Sequence, residues 1–182
     1  MRVITGSARG RNLKTLDGLE TRPTTQKTKE ALFSVIQFDI EGRSVLDLFA
    51  GSGQLGIEAL SRGGKNAVFV DSSKRAVSVI KENIALAGFE QNSAVFCREW
   101  RLFVASCREK FGIIFLDPPY KKGILKDALP AVCPLLETGG IVLCEHDASD
   151  EMPPLPEYMS LFRQKKYGRI ALSFYRKEIE KA

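Results

Sequence analysis

Residues 45–56, VLDLFAGSGQLG, join a short apolar segment to a glycine-rich turn. The apolar segment predicts a buried β-strand, and the spacing of Gly51, Gly53 and Gly56 predicts a tight turn into a helix that packs closely on that strand. Asp71 follows Gly51 by 20 residues and ends the next apolar segment, where an acid can accept hydrogen bonds from ribose hydroxyls. The pattern therefore predicts an α/β fold that binds a nucleotide-type cofactor.

From residue 43 onward, segments typical of strands alternate with segments typical of helices. The predicted strands are 44–49, 67–71, 93–97, 112–117 and 140–145. The predicted helices are about 55–62, 74–87, 99–108 and 122–136. Short apolar strands separated by helices predict a doubly wound, mostly parallel sheet. Two further runs, near 158–166 and 169–176, predict an antiparallel pair at one edge, which completes a seven-stranded sheet.

The first 40 residues differ from this pattern. Residues 1–20 alternate weakly and are interrupted by glycines, which predicts a short hairpin. Residues 22–25, RPTT, then offer hydroxyl N-caps for a helix that runs to about Phe38. We therefore expect 1–182 to form a single domain, with a hairpin and helix appendage in 1–40 and a cofactor-binding catalytic core in 41–182.

The net charge of +5 is unevenly distributed along the chain. Residues 1–30 hold seven Lys and Arg against three Asp and Glu, residues 163–182 hold seven against two, and residues 31–162 hold 13 against 17. Two basic ends around a mildly acidic body are typical of a protein that binds a polyanion. Termini that are simply solvated and tolerant of charge explain the same composition, so charge alone leaves both interpretations open.

Composition and spacing also argue against several classes of protein. No apolar run has the length of a signal peptide or approaches the roughly 20 residues of a membrane span, so we expect a soluble, cytoplasmic protein without a membrane partner. The four cysteines lack Cys-x-x-Cys spacing and are expected to be reduced thiols. His146 lacks a distant partner for a metal site, so we expect an exposed loop histidine and no metal.

A second motif, Asp117-Pro118-Pro119-Tyr120, stands at the carboxyl end of a predicted strand. Open α/β sheets place their chemistry at such ends. Asp117 and the Pro118 carbonyl can accept the two hydrogens of an exocyclic base amine, because consecutive prolines hold that carbonyl in a fixed direction. Tyr120 can stack on the base. By itself the motif is equally typical of a rigid turn, but together with the glycine turn it predicts methyl transfer to a planar nitrogen.

The acids around the glycine turn predict the cofactor. The glycine spacing and Asp71 alone favour NAD. Asp47, however, lies inside the preceding strand, and a buried carboxylate needs a cationic or hydrogen-bonding partner. S-adenosylmethionine supplies both a ribose and an ammonium group, so we predict that it binds here. The other predicted cofactor contacts are Phe49, Ala50, Gly51 and Gly53 in the turn, Ser72 beside Asp71, and Glu99 and Trp100 around the adenine.

These motifs together resemble the RsmD family of 16S ribosomal RNA guanine-N2 methyltransferases. The resemblance covers nearly the whole chain and rests on residues 6–13, 22–25, 47–53, 56–63, 117–120 and 167–169. One position departs from the family pattern. Members often carry Asp or Asn after the third strand, whereas residues 97–100 of this chain read CREW. The resemblance therefore implies that Glu99, whose side chain is longer, contacts the adenine.

The resemblance implies a class I methyltransferase sheet, S-adenosylmethionine as donor, and the N2 amine of a loop guanine as acceptor. It further implies that the substrate is 16S rRNA within the small ribosomal subunit or its assembly intermediate, and we expect the enzyme to be a monomer. The basic N-terminal segment then supplies phosphate contacts. The predicted RNA-binding residues are Arg2, Arg9, Arg11, Lys14 and Arg22.

Three other functions remain open from the sequence. An adenine-N6 methyltransferase acting on DNA or another RNA would use the same amine geometry. A catalytically silent RNA-binding assembly factor would keep the fold, although intact Asp47, Asp71 and Asp117 argue against it. A small NAD-dependent oxidoreductase would have no use for residues 117–120.

Overall fold

The computed structural model of the chain describes residues 1–16, 26–119 and 123–178. Within these residues a single sheet contains seven strands in the order 3-2-1-4-5-7-6. Strands β1 to β5 pair in parallel, and β7 runs antiparallel between β5 and β6. The strands are β1 (Ser44–Asp47), β2 (Asn66–Asp71), β3 (Ser93–Cys97), β4 (Phe111–Leu116), β5 (Leu136–Asp147), β6 (Met159–Tyr167) and β7 (Ile170–Lys177). The predicted doubly wound, mostly parallel sheet with an antiparallel edge pair is confirmed.

Five α-helices lie within the described residues. They are α1 (Gln26–Ile36), α2 (Gln54–Ser61), α3 (Lys74–Ala87), α4 (Trp100–Ser106) and α5 (Leu125–Val132). Helix α5 ends four residues before the predicted end, because Cys133–Leu135 form a 3₁₀ turn that contains Pro134, and β5 begins directly after it. No helix of the described part of the chain is long and apolar enough to cross a membrane.

Alternation along the strands divides the core between the two faces of the sheet. Helices α1, α2 and α3 cover one face, where Val45 and Phe115 lie in the same apolar cluster as Phe33. Helices α4 and α5 cover the other face, where Leu46 and Leu116 lie in a second cluster. We call these the α1–α3 face and the α4–α5 face. The sheet is therefore buried on both sides along β1, β2 and β4, as their near-continuous apolar runs predict, whereas the edge strand β3 is half-buried or exposed along its length.

Residues 1–16, which we call the arm, pack against the α1–α3 face. The predicted hairpin is reduced to one antiparallel bridge, between Arg2 and Asn12, because the intervening residues form turns instead of paired strands. Three apolar side chains of the arm, Val3, Ala8 and Leu13, are buried in the cluster of that face. The arm is thus an integral layer over the helices, although it has little regular structure.

A buried carboxylate fastens the arm to the helices. Glu58 of α2 is fully buried and accepts hydrogen bonds from the backbone N–H of Ile4 (2.8 Å) and Thr5 (3.0 Å). Its oxygens also lie 3.3 Å from Lys29 Nζ and 2.9 Å from Arg62 Nε. Burial lowers the pKa of Lys29, and the charge of Glu58 opposes that shift. All four groups depend on the same carboxylate.

We predict that Glu58→Gln destabilises the protein by about 3–5 kcal/mol, because it leaves the buried Lys29 ammonium without its counter-charge. Urea unfolding measures the loss, and hydrogen exchange at Ile4 and Thr5 reports release of the arm. Glu90→Gln, at an exposed site, is the matched control and should leave both unchanged. Equal unfolding free energies and unchanged exchange in the Glu58 variant would contradict this role.

Candidate cofactor and substrate site

The strand order reverses between β1 and β4, and open α/β sheets bind ligands at such a switch point. Asp47, the last residue of β1, pairs with Phe115 of β4, and Leu48 N–H donates to the Phe115 carbonyl at 3.2 Å. Asp117 lies two residues beyond Phe115. The structure therefore brings the glycine turn after β1 and the Asp117 motif after β4 to adjoining strand ends, as the sequence predicts.

The glycine turn has the geometry that its sequence requires. Gly53 has a φ of +78° and stands immediately before α2, a conformation that residues with a Cβ rarely adopt. A Cβ at Gly56 would lie 2.3 Å from the ring of Phe69, so only glycine lets α2 approach β2 this closely. The first turn of α2 thereby lies beside the end of β1, where Gly56 N–H donates to the Asp47 carboxylate at 3.0 Å.

Asp71 holds the glycine turn in place at the end of β2. One carboxylate oxygen accepts from Gly51 N–H and the other from Ser73 N–H, both at 2.9 Å. A carboxylate has about four lone-pair positions, so this one retains capacity for the two hydroxyls of a ribose. Asp71 is half-buried and its neighbour Ser72 is exposed, which places the pair at the mouth of the site.

Asp47 is a buried carboxylate without a cation among the described residues. It is 1% exposed, and its only hydrogen bond there comes from Gly56 N–H at 3.0 Å. Burial raises its pKa to about 7; the Gly56 hydrogen bond opposes the shift, and the nearby charge of Asp71 adds to it. A ligand with an ammonium group fits this environment, because it would supply the missing positive charge.

Two predicted adenine contacts have other partners in the structure. The Glu99 carboxylate caps α4 by accepting from Arg101 N–H (2.8 Å) and Leu102 N–H (3.3 Å). Trp100 is buried, with its ring centroid 6.1 Å from that of Phe49 and the Arg101 guanidinium 4.4 Å from the Trp100 ring centroid. Phe49 and Trp100 are brought together near the strand ends, and the contact of Glu99 with adenine stays a prediction.

Asn83 of α3 links the arm to the glycine turn and has no counterpart in the sequence predictions. It is fully buried, donates to the carbonyls of Ser52 (2.8 Å) and Lys14 (3.0 Å), and accepts from Lys14 N–H (2.7 Å). The one sequence signal for this role is that Asn83 is a polar residue on the apolar side of the amphipathic helix α3. Through Asn83, the position of the arm and the position of the turn are coupled.

The substrate side of the site is a pocket beside Asp117. Pro118 is buried and Pro119 exposed, Asp117 is half-buried, and Tyr120 lies outside the described residues. The pocket is lined by both prolines, the start of α5 and the end of β5. Glu145 of β5, 1% exposed, belongs to this lining and was not predicted.

The prediction of an exposed loop histidine is wrong. His146 is 3% exposed, and its Nε2 lies 2.8 Å from Ser173 Oγ and its Nδ1 2.8 Å from the Asp147 carbonyl. The carbonyl can only accept, so Nδ1 carries the proton and Nε2 accepts from the Ser173 hydroxyl. The burial arises because β5 continues to Asp147, where β7 pairs alongside it.

The cations of the arm are partly engaged by α3. Arg11 Nη1 donates to the Leu86 carbonyl at 3.0 Å, near the end of α3, and Lys14 forms an ion pair with Glu82. Arg22 lies outside the described residues. The two other predicted RNA contacts, which are exposed and form no ion pair with described residues, are Arg2 and Arg9.

No group of three or more metal-ligating side chains occurs within 1–16, 26–119 and 123–178. The four cysteines are free thiols. Burial raises the pKa of Cys133 to about 11 and raises that of Cys144 further, so both stay protonated and unreactive at neutral pH.

The strand order, the antiparallel seventh strand and the acid-flanked glycine turn define a class I S-adenosylmethionine-dependent methyltransferase. S-adenosylmethionine is accordingly the cofactor, and the cationless Asp47 and the two-point attachment of Asp71 fit its ammonium and ribose groups.

Comparison with known proteins identifies the family. Residues 1–176 match the model of a family described as conserved hypothetical protein 95, and the chain belongs to it, which confirms the resemblance to the RsmD family. Ribosomal RNA small subunit methyltransferase D of Escherichia coli is 32% identical over 188 residues, covering 99% of this chain and 91% of the relative. YlbH of Bacillus subtilis, provisionally named an rRNA methyltransferase, is 42% identical over 182 residues, covering 97% and 99%. The solved structure of Escherichia coli YhhF, provisionally named a methyltransferase, superposes with a TM-score of 0.88 at 32% identity, covering 98% of both chains.

We predict that Asp47→Asn stabilises the cofactor-free protein at pH 8 but not at pH 4. The wild-type carboxyl has a folded-state pKa of about 7, against about 3.9 when unfolded, so its ionisation costs stability progressively as pH rises from about 4 to 7. The shift corresponds to a gain of up to about 4 kcal/mol above pH 7. The amide still accepts from Gly56 N–H.

Urea unfolding at both pH values, without cofactor, measures this difference. Glu109→Gln, which changes an exposed carboxylate, should show no such pH dependence. A gain for the Asp47 variant that is the same at pH 4 and pH 8 would contradict a raised pKa.

Proposed function

We propose that this protein transfers the methyl group of S-adenosylmethionine to the N2 amine of a loop guanine in small-subunit ribosomal RNA. The observation that carries the proposal is the juxtaposition, at adjoining ends of β1 and β4, of the acid-flanked glycine turn and Asp117. The name of the Escherichia coli relative, a small subunit rRNA methyltransferase, supports the choice of substrate. The guanine N2 specificity rests on the resemblance in the motifs.

On the cofactor side, each polar group has one task. Asp71 and Ser72 hold the ribose, Asp47 faces the ammonium, and the turn containing Gly51 and Gly53 lets the backbone approach the ligand closely. Because the donor sulfur is already positive when the cofactor is bound, the chain needs to supply neither a nucleophilic side chain nor a metal. What it must supply is alignment.

On the substrate side, the difficulty is that an exocyclic amine is a poor nucleophile, since its lone pair is delocalised into the ring. Asp117 and the Pro118 carbonyl accept hydrogen bonds from the two amine hydrogens and turn the nitrogen toward the methyl group. As the methyl group passes from sulfur to nitrogen, the nitrogen would lose one proton, which Asp117 or solvent takes up. Pro118 and Pro119 restrict the backbone, so that little freedom is lost on binding. Tyr120 stacks on the base. Positioning of this kind can contribute about 7–11 kcal/mol to lowering the barrier.

The target base must leave its stack to reach Asp117, at a cost of a few kcal/mol that is smallest for an unpaired loop nucleotide. Loop RNA is therefore the favoured substrate class. Arg2 and Arg9, exposed on the arm, are proposed to contact phosphates, together with Arg11, Lys14 and Arg22. We further propose that the enzyme acts as a cytoplasmic monomer on the small subunit or its assembly intermediate.

Transfer of labelled methyl from S-adenosylmethionine to unmodified small ribosomal subunits, followed by digestion to nucleosides, tests the acceptor. We expect the label in N2-methylguanosine, identified by mass. N6-methyladenosine would keep the fold and the amine geometry but overturn the proposed base. Absence of label in every nucleoside, with the RNA still bound, would favour the silent assembly factor.

We predict that substitutions at Asp117 and Asp71 impair different steps, methyl transfer in the first case and cofactor binding in the second. Asp117→Ala should reduce methyl transfer by about 100-fold or more, because the amine loses its alignment, while cofactor affinity stays near wild type. Asp71→Ala should weaken cofactor binding by about tenfold or more, because it removes ribose acceptors and releases Gly51. Calorimetric titration with the cofactor and single-turnover methylation separate the two.

Glu109→Ala, an exposed carboxylate at the amino edge of the sheet, is the control and should match wild type in both assays. Methylation at the normal rate by the Asp117 variant would show that the proposed alignment is wrong. A cofactor affinity unaffected by Asp71→Ala would remove Asp71 from the ribose site.

A further inference from the structure

The β6–β7 hairpin carries exposed cations and an aromatic ring that the proposed chemistry does not use. Arg163, Tyr167 and Arg169 are exposed and Lys165 is half-exposed. None of the three cations forms an ion pair within the described residues. Among the described strands, β6 is the outermost and pairs with β7 alone. We call these four residues the hairpin strip.

Pairing across the hairpin fixes the face on which the strip lies. Arg163 pairs with Phe174, Lys165 with Leu172, and Tyr167 with Ile170. Residues directly opposite in a ladder project to the same face, and Leu172 and Phe174 belong to the cluster of the α1–α3 face. Arg163, Lys165 and Tyr167 therefore project toward the α1–α3 face at its outer margin.

The same face bears the catalytic carboxylate. Asp117 follows Leu116, which pairs with Cys144, so Asp117 stands beside Glu145. Glu145 pairs with Leu172, and Leu172 with Lys165. This row crosses three strand spacings of about 4.8 Å each, which puts Lys165 about 14 Å from Asp117 along the sheet. That distance spans roughly four stacked nucleotides at about 3.4 Å each.

The strip also reaches the edge of the sheet where the chemistry takes place. The hairpin turn at Gly168 stands beside the carboxyl end of β5, since Asp147 pairs with Ile170 and Ala148 N–H donates to the Arg169 carbonyl at 2.8 Å. Tyr167 and Arg169 thus stand beside the end of β5, whose Glu145 and His146 line the pocket, and Lys165 and Arg163 precede them along β6.

A chain of polar side chains links the three strands, running from Gln164, which is exposed, to Ser173 and His146, which are buried. On the α4–α5 face, Gln164 Nε2 donates to Ser173 Oγ at 2.9 Å, and the Ser173 hydroxyl donates to His146 Nε2 at 2.8 Å. His146 Nδ1 in turn donates to the Asp147 carbonyl. These bonds connect β6, β7 and β5 in sequence next to the pocket. His146, a residue of the pocket lining, thereby ties the end of β5 to β7.

We propose that the hairpin strip binds the RNA strand beside the target nucleotide, with Arg163, Lys165 and Arg169 on phosphates and Tyr167 stacked on a neighbouring base. The inference rests on the function proposed above and extends it by placing the flanking strand. Cations interleaved with an aromatic ring along a groove margin are the recognition chemistry of single-stranded nucleic acid. The acid nearest the turn, Asp147, is engaged by Ser149 N–H and Oγ–H at 3.0 and 2.7 Å.

The test is RNA affinity as a function of salt, measured with the full-length protein, without cofactor, on unmodified small-subunit rRNA made by transcription. Arg163→Ala combined with Lys165→Ala removes two phosphate contacts, so the slope of log affinity against log salt becomes shallower by about 1.4. The loss of affinity relative to wild type should therefore shrink about sevenfold between about 50 and 200 mM salt. Cofactor affinity should not change.

Lys65→Ala combined with Arg108→Ala removes the same charge at the opposite, amino edge of the sheet and is the matched control. Tyr167→Ala should weaken RNA binding about fivefold or more, whereas Tyr167→Phe, which keeps a stacking face, should not. Thermal unfolding confirms that each variant is folded. An unchanged salt slope in the hairpin variant, or an equal change in the control pair, overturns the proposal.

Two further outcomes separate this inference from others. If wild type binds the RNA through the strip but methylates no nucleoside, the proposed function fails and the strip assignment stands. If the strip residues instead mediate binding to vesicles containing an anionic phospholipid, with no effect on RNA affinity, the surface is a membrane contact and the assignment to RNA is wrong.

Discussion

The reversal of strand order beside β1 is the constraint on which the rest of the structure depends. Because β1 pairs in parallel with both β2 and β4, the segments that leave these strands must diverge at one edge and open a crevice there. Asp47, Asp71 and Asp117 stand at that edge because each lies at, or just beyond, the carboxyl end of its strand. The arm is tied to this edge through Asn83, which also binds the Ser52 carbonyl of the glycine turn, and the β6–β7 hairpin through its pairing with β5.

Two buried carboxylates show how the fold separates stability from function. Glu58 has a full set of partners, two backbone N–H groups and two cations, and it fastens the arm. Asp47 has one backbone N–H and a raised pKa, so the folded chain carries a cost that a cationic ligand relieves. A satisfied charge therefore serves the structure. A buried carboxylate that lacks a cation among the described residues, as Asp47 does at the switch point, identifies the ligand site. The sequence does not distinguish Asp47 from Glu58, because both are acids within apolar segments.

How far the sequence reaches depends on the range of the interaction involved. The parallel strands and the glycine turn could be predicted, because strand periodicity and a φ of +78° at Gly53 are local requirements that restrict the residue type. The burial of His146 could not, because it depends on β7 pairing beside the end of β5, where the partner residues are 23 or more positions apart in the sequence. The contacts of Glu58 and Asn83 with the arm could not be predicted for the same reason. Their partners in the arm backbone lie 53 or more residues away in the sequence. The residue type alone does not indicate which polar side chain will be buried against such a partner.

The distribution of charge illustrates why composition alone left the partner open. Both ends of the chain are basic, and the sequence treats them alike. In the structure their cations differ. On the arm, Lys14 forms an ion pair with Glu82 and Arg11 donates to the Leu86 carbonyl, so these two cations help to attach the arm to α3. On the hairpin strip no ion pair forms with described residues, and the backbone carries the attachment to β5 instead. The hairpin itself is not uniform, since Arg176 of β7 pairs with Asp39. A phosphate would compete with a carboxylate at Lys14 and at Arg176 but not at the cations of the strip, so exposure and pairing, and not the count of basic residues, decide where a polyanion is attracted.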